Sequence, residues 1–581
     1  MRSFSELKKN IKRYKETKGL REVCMALLGD TATQFLHVAL QGYGYEAGYR
    51  TDIYESEYDV LETEILDPSS GLYDGKRDYV VIYMSSEKAY DAYTRLDNSE
   101  REVFADKYVS RIEGYWNTIS GRMGAKIIQF DFNRIETGVG GNLGNKEKAS
   151  WEYQYRKLQY LIREAAARTE GVYVLSLDDI QTRLGRDTFC DMRFYYDARM
   201  SVSTDALPEV AKAVFDIVDP LGGKVKKCLI LDLDNTIWGG VIGDDGINGI
   251  ELGELGKGRI YADIQRWCLE LKKRGIILAV CSKNNADTAK EPFEKHPDML
   301  LRLEDIAVFV ANWNDKAQNI RYIRDVLNIG MDSMVFLDDS PFERSLVKEM
   351  LPEVTVPELP EEPAEWITYL SALDLFESPV SAVGGDRTKK YKEEAERRSA
   401  KQHFDDVNEY LKSLQMKAVC NAFDEFHYPR IAELSQRSNQ FNLRTVRYTE
   451  DQIRAFAESD KYITLYFTLN DRFGDYGLVS AVIMEKISDK EAFIDTWFMS
   501  CRVLNRGMEE FIVNSLVETA KEQGIEKITG EYIPTNKNKM VENIYSGFGF
   551  ETQGDGIFTL NTKNYTQAET FIEKASPAAI H

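Results

Sequence analysis

Cys228-Leu-Ile-Leu-Asp-Leu-Asp-Asn-Thr-Ile-Trp-Gly-Gly240 is the stretch whose reading decides the fold. Cys228 to Leu231 is a short apolar, strand-like run that ends in two acids and opens into glycines. Side chains alternate along a strand, so Asp232 and Asp234 share a side where the strand frays. The carboxyl end of a strand is where an open α/β sheet places its ligand site. Two carboxylates held together repel unless a divalent cation sits between them. The stretch reads as an aspartyl nucleophile, Asp232, followed by a second acid, Asp234; an acidic β-turn is the alternative, since Asp and Asn are common turn formers.

Downstream, the same pattern returns. Ile276 to Val280 is a strand-like run leading into Cys281-Ser282-Lys283-Asn284, and Ser333 to Leu337 leads into Asp338-Asp339-Ser340-Pro341. Asn312-Trp313-Asn314-Asp315-Lys316 opens a helix toward Leu327. Strand ends thus deliver Asp232 and Asp234, Ser282, and Asp338 with Asp339, while a helix start delivers Lys316. Each alone is an ordinary turn, loop or surface residue. In this order they are the parts of phosphoryl transfer: a nucleophile, a metal and a lysine against the phosphoryl charge, and a hydroxyl that fixes one oxygen.

These residues resemble the four motifs of the haloacid dehalogenase (HAD) superfamily. The resemblance implies that Asp232 forms an aspartyl-phosphate and Asp234 is the general acid/base. It implies that Ser282 and Lys316 hold the phosphoryl group. It gives Mg2+ to Asp232, Asp338 and the Asp234 backbone carbonyl, with Asp339 assisting. Gly239 to Gly258 is too rich in glycine to form a packed cap, so a Rossmannoid domain with a minimal cap is expected, open to a large substrate or to another domain.

The 581-residue chain is too long for one core. Hydrophobic residues make up 43% and tyrosine occurs 32 times, as in a globular protein. A net charge of −21 argues against a nucleic-acid backbone as the main partner. Seven scattered cysteines without a CxxC pair point to reduced thiols and a cytoplasmic protein without a zinc site. Met1 to Leu20 is too polar for a signal peptide, and no run approaches the ~20 apolar residues of a membrane span.

Before the middle domain, strand-like runs at Val23–Leu28, Tyr79–Tyr83, Lys126–Phe130 and Val172–Leu175 alternate with helical patterns at Phe4–Tyr14, Glu100–Ile119, Trp151–Ala167 and Leu207–Val218. Alternation of this kind implies a parallel sheet covered on both faces. Gly29-Asp30-Thr31 after the first strand resembles the Gly-Asp-Ser block of SGNH-type hydrolases. Thr31 stands for the serine, and no histidine lies around Asp191–Asp205 to act as its base. The expected reading is therefore a helix start with Thr31 or Asp30 as cap. Gly138 to Gly144 is expected to be a flexible loop.

After it, Ser378 to Asp386 is a small-residue stretch, and Arg387 to Leu414 reads as a solvated linker helix. Tyr462–Leu469, Gly477–Met484 and Ala492–Met499 form an expected antiparallel meander, with a helix at Glu509–Gln523 and a strand at Lys527–Tyr532. A helix start after the fourth strand and a late Tyr-x-x-x-Gly-Phe are similar to GNAT acyltransferases. There, N–H groups at the helix start bind the pyrophosphate of coenzyme A. The resemblance puts cofactor binding on Arg502, Arg506 and Gly507. Glu509 and Glu510 in the first turn oppose pyrophosphate, which favours a phosphopantetheine arm over coenzyme A. Cys501 beside Arg502 is a candidate acyl-holding thiol and Cys281 its rival; a buried small residue is the alternative for both.

Leu231 to Gly246, Cys281-Ser-Lys-Asn, Asn312-Trp313, Asn439-Gln-Phe-Asn-Leu-Arg-Thr and Ser500-Cys-Arg-Val-Leu-Asn-Arg-Gly507 together resemble the FkbH family over about 225 to 555. The resemblance implies a bifunctional phosphatase and glyceryl transferase. Such an enzyme takes an acyl phosphate such as 1,3-bisphosphoglycerate and passes the acyl group to an acyl carrier protein. A stand-alone phosphatase acting on a metabolite or a cell-surface saccharide precursor is the other reading. The expected layout has an SGNH-like (flavodoxin-like) domain at 1–220, degenerate as a hydrolase, and a HAD-like domain at 221–370. A linker helix at 371–415, a GNAT-like α+β domain at 416–565 and a tail at 566–581 complete it.

Overall fold

The structure, a computed structural model, describes residues 3–137, 139–378, 397, 406–438, 440–535 and 538–575. Compactness divides it into two units, Met1–Val225 with Asp374–Pro379, and Lys226–Leu373 with Val380–His581.

The first unit is built on five parallel strands, β1 (Arg21–Gly29), β2 (Tyr49–Glu55), β3 (Tyr79–Tyr83), β4 (Lys126–Phe130) and β5 (Val172–Leu175). They lie in the order β2-β1-β3-β4-β5. Alternate residues feed two cores. Ala26, Leu28, Val80, Ile82 and Ile127 pack on one face, Met25, Leu27, Val81, Ile128 and Phe130 on the other. Both faces are buried, which is why these strands read as continuous apolar runs. β2 is an edge strand whose Arg50 and Asp52 face solvent; its charges conceal it in the sequence.

Two expectations here are corrected. The helix after β1 spans Gln34–Glu46 with Thr33 at its N-cap, so neither Asp30 nor Thr31 caps it. Instead the Asp30 carboxylate accepts the Ser85 N–H at 2.7 Å, and the Thr31 hydroxyl donates to the Arg199 carbonyl. Both side chains tie neighbouring loops to the sheet edge. Gly141–Gly144 forms a single helical turn, with Gly138 outside the described residues.

The Phe4–Tyr14 helix lies against Gln34–Glu46 through Gly42. A Cβ there would come within 2.3 Å of the Leu7 carbonyl oxygen. Gly42→Ala is expected to destabilise the first unit by about 1–3 kcal/mol through forced separation of the two helices. A thermal melt that does not shift would contradict this close approach.

In the second unit, β6 (Cys228–Leu231), β7 (Ile277–Ser282), β8 (Ile306–Ala311) and β9 (Met334–Leu337) form a parallel sheet ordered β8-β7-β6-β9. The helices Gly256–Lys273, Ala286–Lys295, Lys316–Leu327 and Pro341–Met350 connect or follow these strands. Between β6 and the first helix lie only a helical turn, Ile242–Asp245, and loop. There is no cap domain in that interval.

The third sheet comprises β10 (Lys417–Asn421), β11 (Tyr462–Asp471), β12 (Gly474–Ser488), β13 (Glu491–Met499), β14 (Lys527–Glu531), β15 (Glu551–Gly554), β16 (Ile557–Asn561) and β17 (Glu573–Lys574). Its order is β15-β16-β14-β13-β12-β11-β10-β17. The expected meander is β11 to β13, preceded by β10. The helix Met508–Glu522 packs on one face, against Val482, Ile494 and Trp497. Tyr428–Arg437 and Glu450–Ala457 cover the other face, against Ile483 and Phe498. Residues expected to be a tail contribute β17 and a buried Ile572. Of the expected linker helix, Arg397 and the helix Val407–Ser413 are described; the remainder of Arg387–Asp405 lies outside the described residues.

Among the described residues no helix is long and apolar enough to cross a membrane.

Candidate active site

β6 and β9 are neighbours, with Leu231 opposite Leu337, so the residues after each strand emerge side by side. Asp232, Asp338 and Asp339 each offer a carboxylate oxygen, and these oxygens lie within 4.8 Å of one another. Lys316, at the start of its helix, reaches into the group. Its Nζ is 2.9 Å from Asp232 Oδ2 and also bonds Asp338 Oδ2. The Asp338 side chain is 0% exposed and Lys316 3%, so solvent screening is weak here.

The charge state follows. Burial and the Asp232 carboxylate raise Asp338 to about 6, against the opposing pull of Lys316. Burial and Asp232 likewise raise Asp339. Burial opposes the charge on Lys316, but Asp232 and Asp338 outweigh it and hold the ammonium above its ordinary value.

Asp234 is placed differently. Its carboxylate accepts from Trp238 Nε1 at 2.9 Å, from the Ile242 N–H at 3.0 Å and from Asn284 Nδ2 at 3.0 Å. It is not among the three carboxylates that cluster. Burial raises its pKa, as a proton-carrying group requires. The turn after it is held by Asn235, in the left-handed region at φ 53°, whose side chain accepts the Gly240 N–H at 2.9 Å. Gly240 itself has φ 89°, a conformation that favours glycine. Ser282 ends β7, beside β6, and is buried.

Three residues not assigned a role from the sequence complete the site. The Thr236 hydroxyl accepts the Asp339 N–H at 3.2 Å. Asn284 orients Asp234. Arg344, buried, donates Nη1 to the carbonyls of Asp338 and Asp339 at 2.8 and 2.7 Å, fixing the loop that presents both acids. A basic residue one turn into the helix after Asp338-Asp339-Ser340-Pro341 was the only signal for Arg344.

The donor set fits a hard divalent cation: three clustered carboxylates, with Asp232 Oδ1 buried and without a hydrogen-bond partner. Because protons compete for Asp338, Mg2+ affinity is expected to fall about tenfold per pH unit once the pH drops below about 6. Calorimetric titration across pH 5–8, in buffers of differing ionisation enthalpy, checks this by counting the protons released.

The other candidates are not joined into comparable sites. Thr31 donates its hydroxyl to the Arg199 carbonyl, and His37 Nδ1 pairs with Glu55 at 2.8 Å. Cys281 is fully buried and burial pushes its thiol well up, consistent with a packing residue. Cys501 lies in the short helix Cys501–Val503 rather than ending β13, and its side chain is outside those described. Arg506 bonds the Tyr476 hydroxyl and lies 3.9 Å from Asp471, turned toward the protein. Arg502 is exposed. Gly507 caps the helix Met508–Glu522 at φ 83°.

The family model described as FkbH, N-terminal domain, matches residues 24–219. The N-terminal part of the protein BF1531 from Bacteroides fragilis, containing a phosphatase domain and solved in complex with Mg, is 43% identical. The match covers 65% of this chain and 99% of that one, with a TM-score of 0.62. The Escherichia coli ribosomal-protein-S18-alanine N-acetyltransferase matches over 25% of this chain and 94% of that one, at 15% identity and a TM-score of 0.21. The Vibrio cholerae spermidine N-acetyltransferase, solved with CoA and spermine, matches over 26% and 98% at 13% identity and a TM-score of 0.21. No curated protein matches the chain.

Proposed function

The chain belongs to the FkbH family, and from that premise we propose that its second sheet carries a Mg2+-dependent, HAD-type phosphatase working through an aspartyl-phosphate on Asp232. The observation that supports this reading is the convergence of Asp232, Asp338, Asp339 and Lys316 at one sheet edge. The Bacteroides relative, a phosphatase-domain protein bound to Mg, supports it independently.

The residues divide the chemistry. An Asp232 oxygen attacks phosphorus in line, and the bond from phosphorus to the leaving oxygen breaks. Asp234, with its raised pKa, gives a proton to that oxygen and later takes one from the water that releases phosphate. Lys316 and Ser282 hold the phosphoryl oxygens. Asp232, Asp338 and the Asp234 carbonyl, with Asp339 assisting, would hold Mg2+, which offsets charge on the transferring group. The absence of a cap between β6 and β7 leaves the site to be covered by the substrate or by other parts of the chain.

The substrate class proposed is a small phosphorylated acid, an acyl phosphate such as 1,3-bisphosphoglycerate. Family likeness extends the proposal to delivery of the acyl group to a carrier-protein thiol by the third sheet and its helices; there the thiol attacks the acyl carbonyl and the acyl phosphate leaves as inorganic phosphate, so the phosphate that Asp232 takes is the substrate's other, ester-linked one. The reading of a stand-alone phosphatase, with flanking domains that select the substrate, is favoured by Arg506, whose guanidinium is engaged with Tyr476 and Asp471. A cytoplasmic setting belongs to the same proposal, with Cys24, Cys190, Cys228, Cys268, Cys281 and Cys420 as free thiols.

The test is phosphate release from 1,3-bisphosphoglycerate with Mg2+ or with EDTA, in the presence of a phosphopantetheinylated carrier protein. Mg2+-dependent release is expected, and its absence with every acyl and sugar-acid phosphate tried would reject the phosphatase reading. An acyl adduct in the intact mass of the carrier separates transferase from simple phosphatase.

A further inference from the structure

β13 and β14 run parallel only from Glu491 opposite Lys527 to Ile494 opposite Gly530. Beyond that they separate, while β13 continues to Met499. A gap of this kind in a parallel pair exposes one strand's N–H and C=O groups. An extended arm with amide groups, such as pantetheine, pairs with such an edge as an added strand would.

Here the gap is filled by the chain itself. The Met499 N–H donates to the Phe441 carbonyl at 3.1 Å, and the Leu443 N–H to the Trp497 carbonyl at 3.4 Å. Asn442 forms an antiparallel bridge with Phe498. On the opposite side, the Ile533 N–H donates to the Leu443 carbonyl at 2.9 Å, and Asn538 Nδ2 to the Asn442 carbonyl at 3.0 Å. The segment is thus bonded on both edges as an inserted strand. Phe441, Asn442 and Leu443 are buried, and Phe441 meets Trp497 edge-on with ring centres 5.2 Å apart. Arg444 pins the end. It donates to the Asp495 carbonyl and the Glu531 carboxylate, each at 2.7 Å, and lies over the Phe493 ring at 5.0 Å.

The neighbouring helix start agrees. Glu509 is buried in its first turn, accepts the Asn505 N–H at 3.2 Å, and burial raises its carboxyl. Glu510 follows it. An incoming pyrophosphate would meet two acids.

We infer that the gap between β13 and β14 is closed to the pantetheine arm of coenzyme A or of a carrier protein, because Phe441–Arg444 is its built-in occupant. Any acyl handover to a carrier thiol by the third sheet and its helices then takes place outside this gap. The inference is independent of the phosphatase reading, since either can fail without the other.

The test is site-resolved hydrogen exchange on the full chain, with and without saturating coenzyme A. The amides of Leu443, Met499 and Ile533 are expected to exchange slowly in the free protein and to keep the same rates with coenzyme A. Arg444→Ala should speed exchange at Leu443 about tenfold or more, with exchange across the paired strands β11 and β12 unchanged as the control for folding. Fast exchange at these amides in the free protein, or a change in their rates with coenzyme A, would overturn the inference. So would an Arg444→Ala protein that folds and shows the original rate at Leu443.

Discussion

Asp232→Asn is expected to reduce Mg2+-dependent phosphate release by about four orders of magnitude or more, the loss typical of removing a covalent nucleophile. The amide keeps the shape of the carboxyl group, so the fold should survive. Lys316 keeps its bond to Asp338, and one of three crowded carboxylates is gone. The metal-free melting temperature should therefore hold or rise while activity vanishes. A structural role for Asp232 predicts the opposite, with stability and activity falling together. Activity that survives in a folded variant would place the nucleophile elsewhere.

Lys316→Met is expected to act on stability and activity at once. Among the described residues Lys316 is the one ammonium bridging Asp232 and Asp338, and all three groups are nearly or fully buried. Removing one partner from a buried charged network leaves the others uncompensated, at a cost of about 3–5 kcal/mol. The cost should depend on pH in a definite direction. Asp338 is already raised to about 6, and loss of the lysine raises it further. Between the unfolded and folded pKa values the native state retains a proton that the unfolded chain has lost, so stability falls as pH rises. The variant should therefore be penalised less near pH 5 than near pH 8. Mg2+ supplies the missing charge, so it should raise the variant's melting temperature more than that of the unaltered protein. Phosphate release should drop about 100-fold to 1,000-fold with the metal present, through the lost contact to the phosphoryl oxygens. Equal stability losses at both pH values would mean that the lysine acts by packing rather than by charge.

The site was legible because its chemistry sits at the ends of short apolar strands. Cys228–Leu231 and Met334–Leu337 are fully buried, so their composition marks them, and the acids just beyond stand out. Asp-Leu-Asp gave the correct side for Asp232 and concealed the turn of Asp234 toward Trp238 and Asn284, which depends on the left-handed Asn235. Arg344 was missed because it works through backbone carbonyls, which leave no trace in residue type. β2 was missed because an edge strand carries charge on alternate residues. Phe441–Arg444 was quoted for its resemblance and not as a strand. Its backbone-to-backbone bonds join residues more than fifty positions away, and periodicity cannot report contacts of that range.

The capless interval after β6 also fits the chemistry asked of the site. Aspartyl-phosphate formation needs a dry, charge-balanced nucleophile, which burial of Asp338 and Lys316 supplies from beneath.

The most direct measurement is mass spectrometry of the protein quenched in acid within one turnover of an acyl phosphate in the presence of Mg2+. A phosphoryl group is expected on the peptide carrying Asp232, absent with EDTA and absent from Asp232→Asn. Turnover with the phosphoryl group on a different residue, or with none on the protein at any time before phosphate appears, would contradict it.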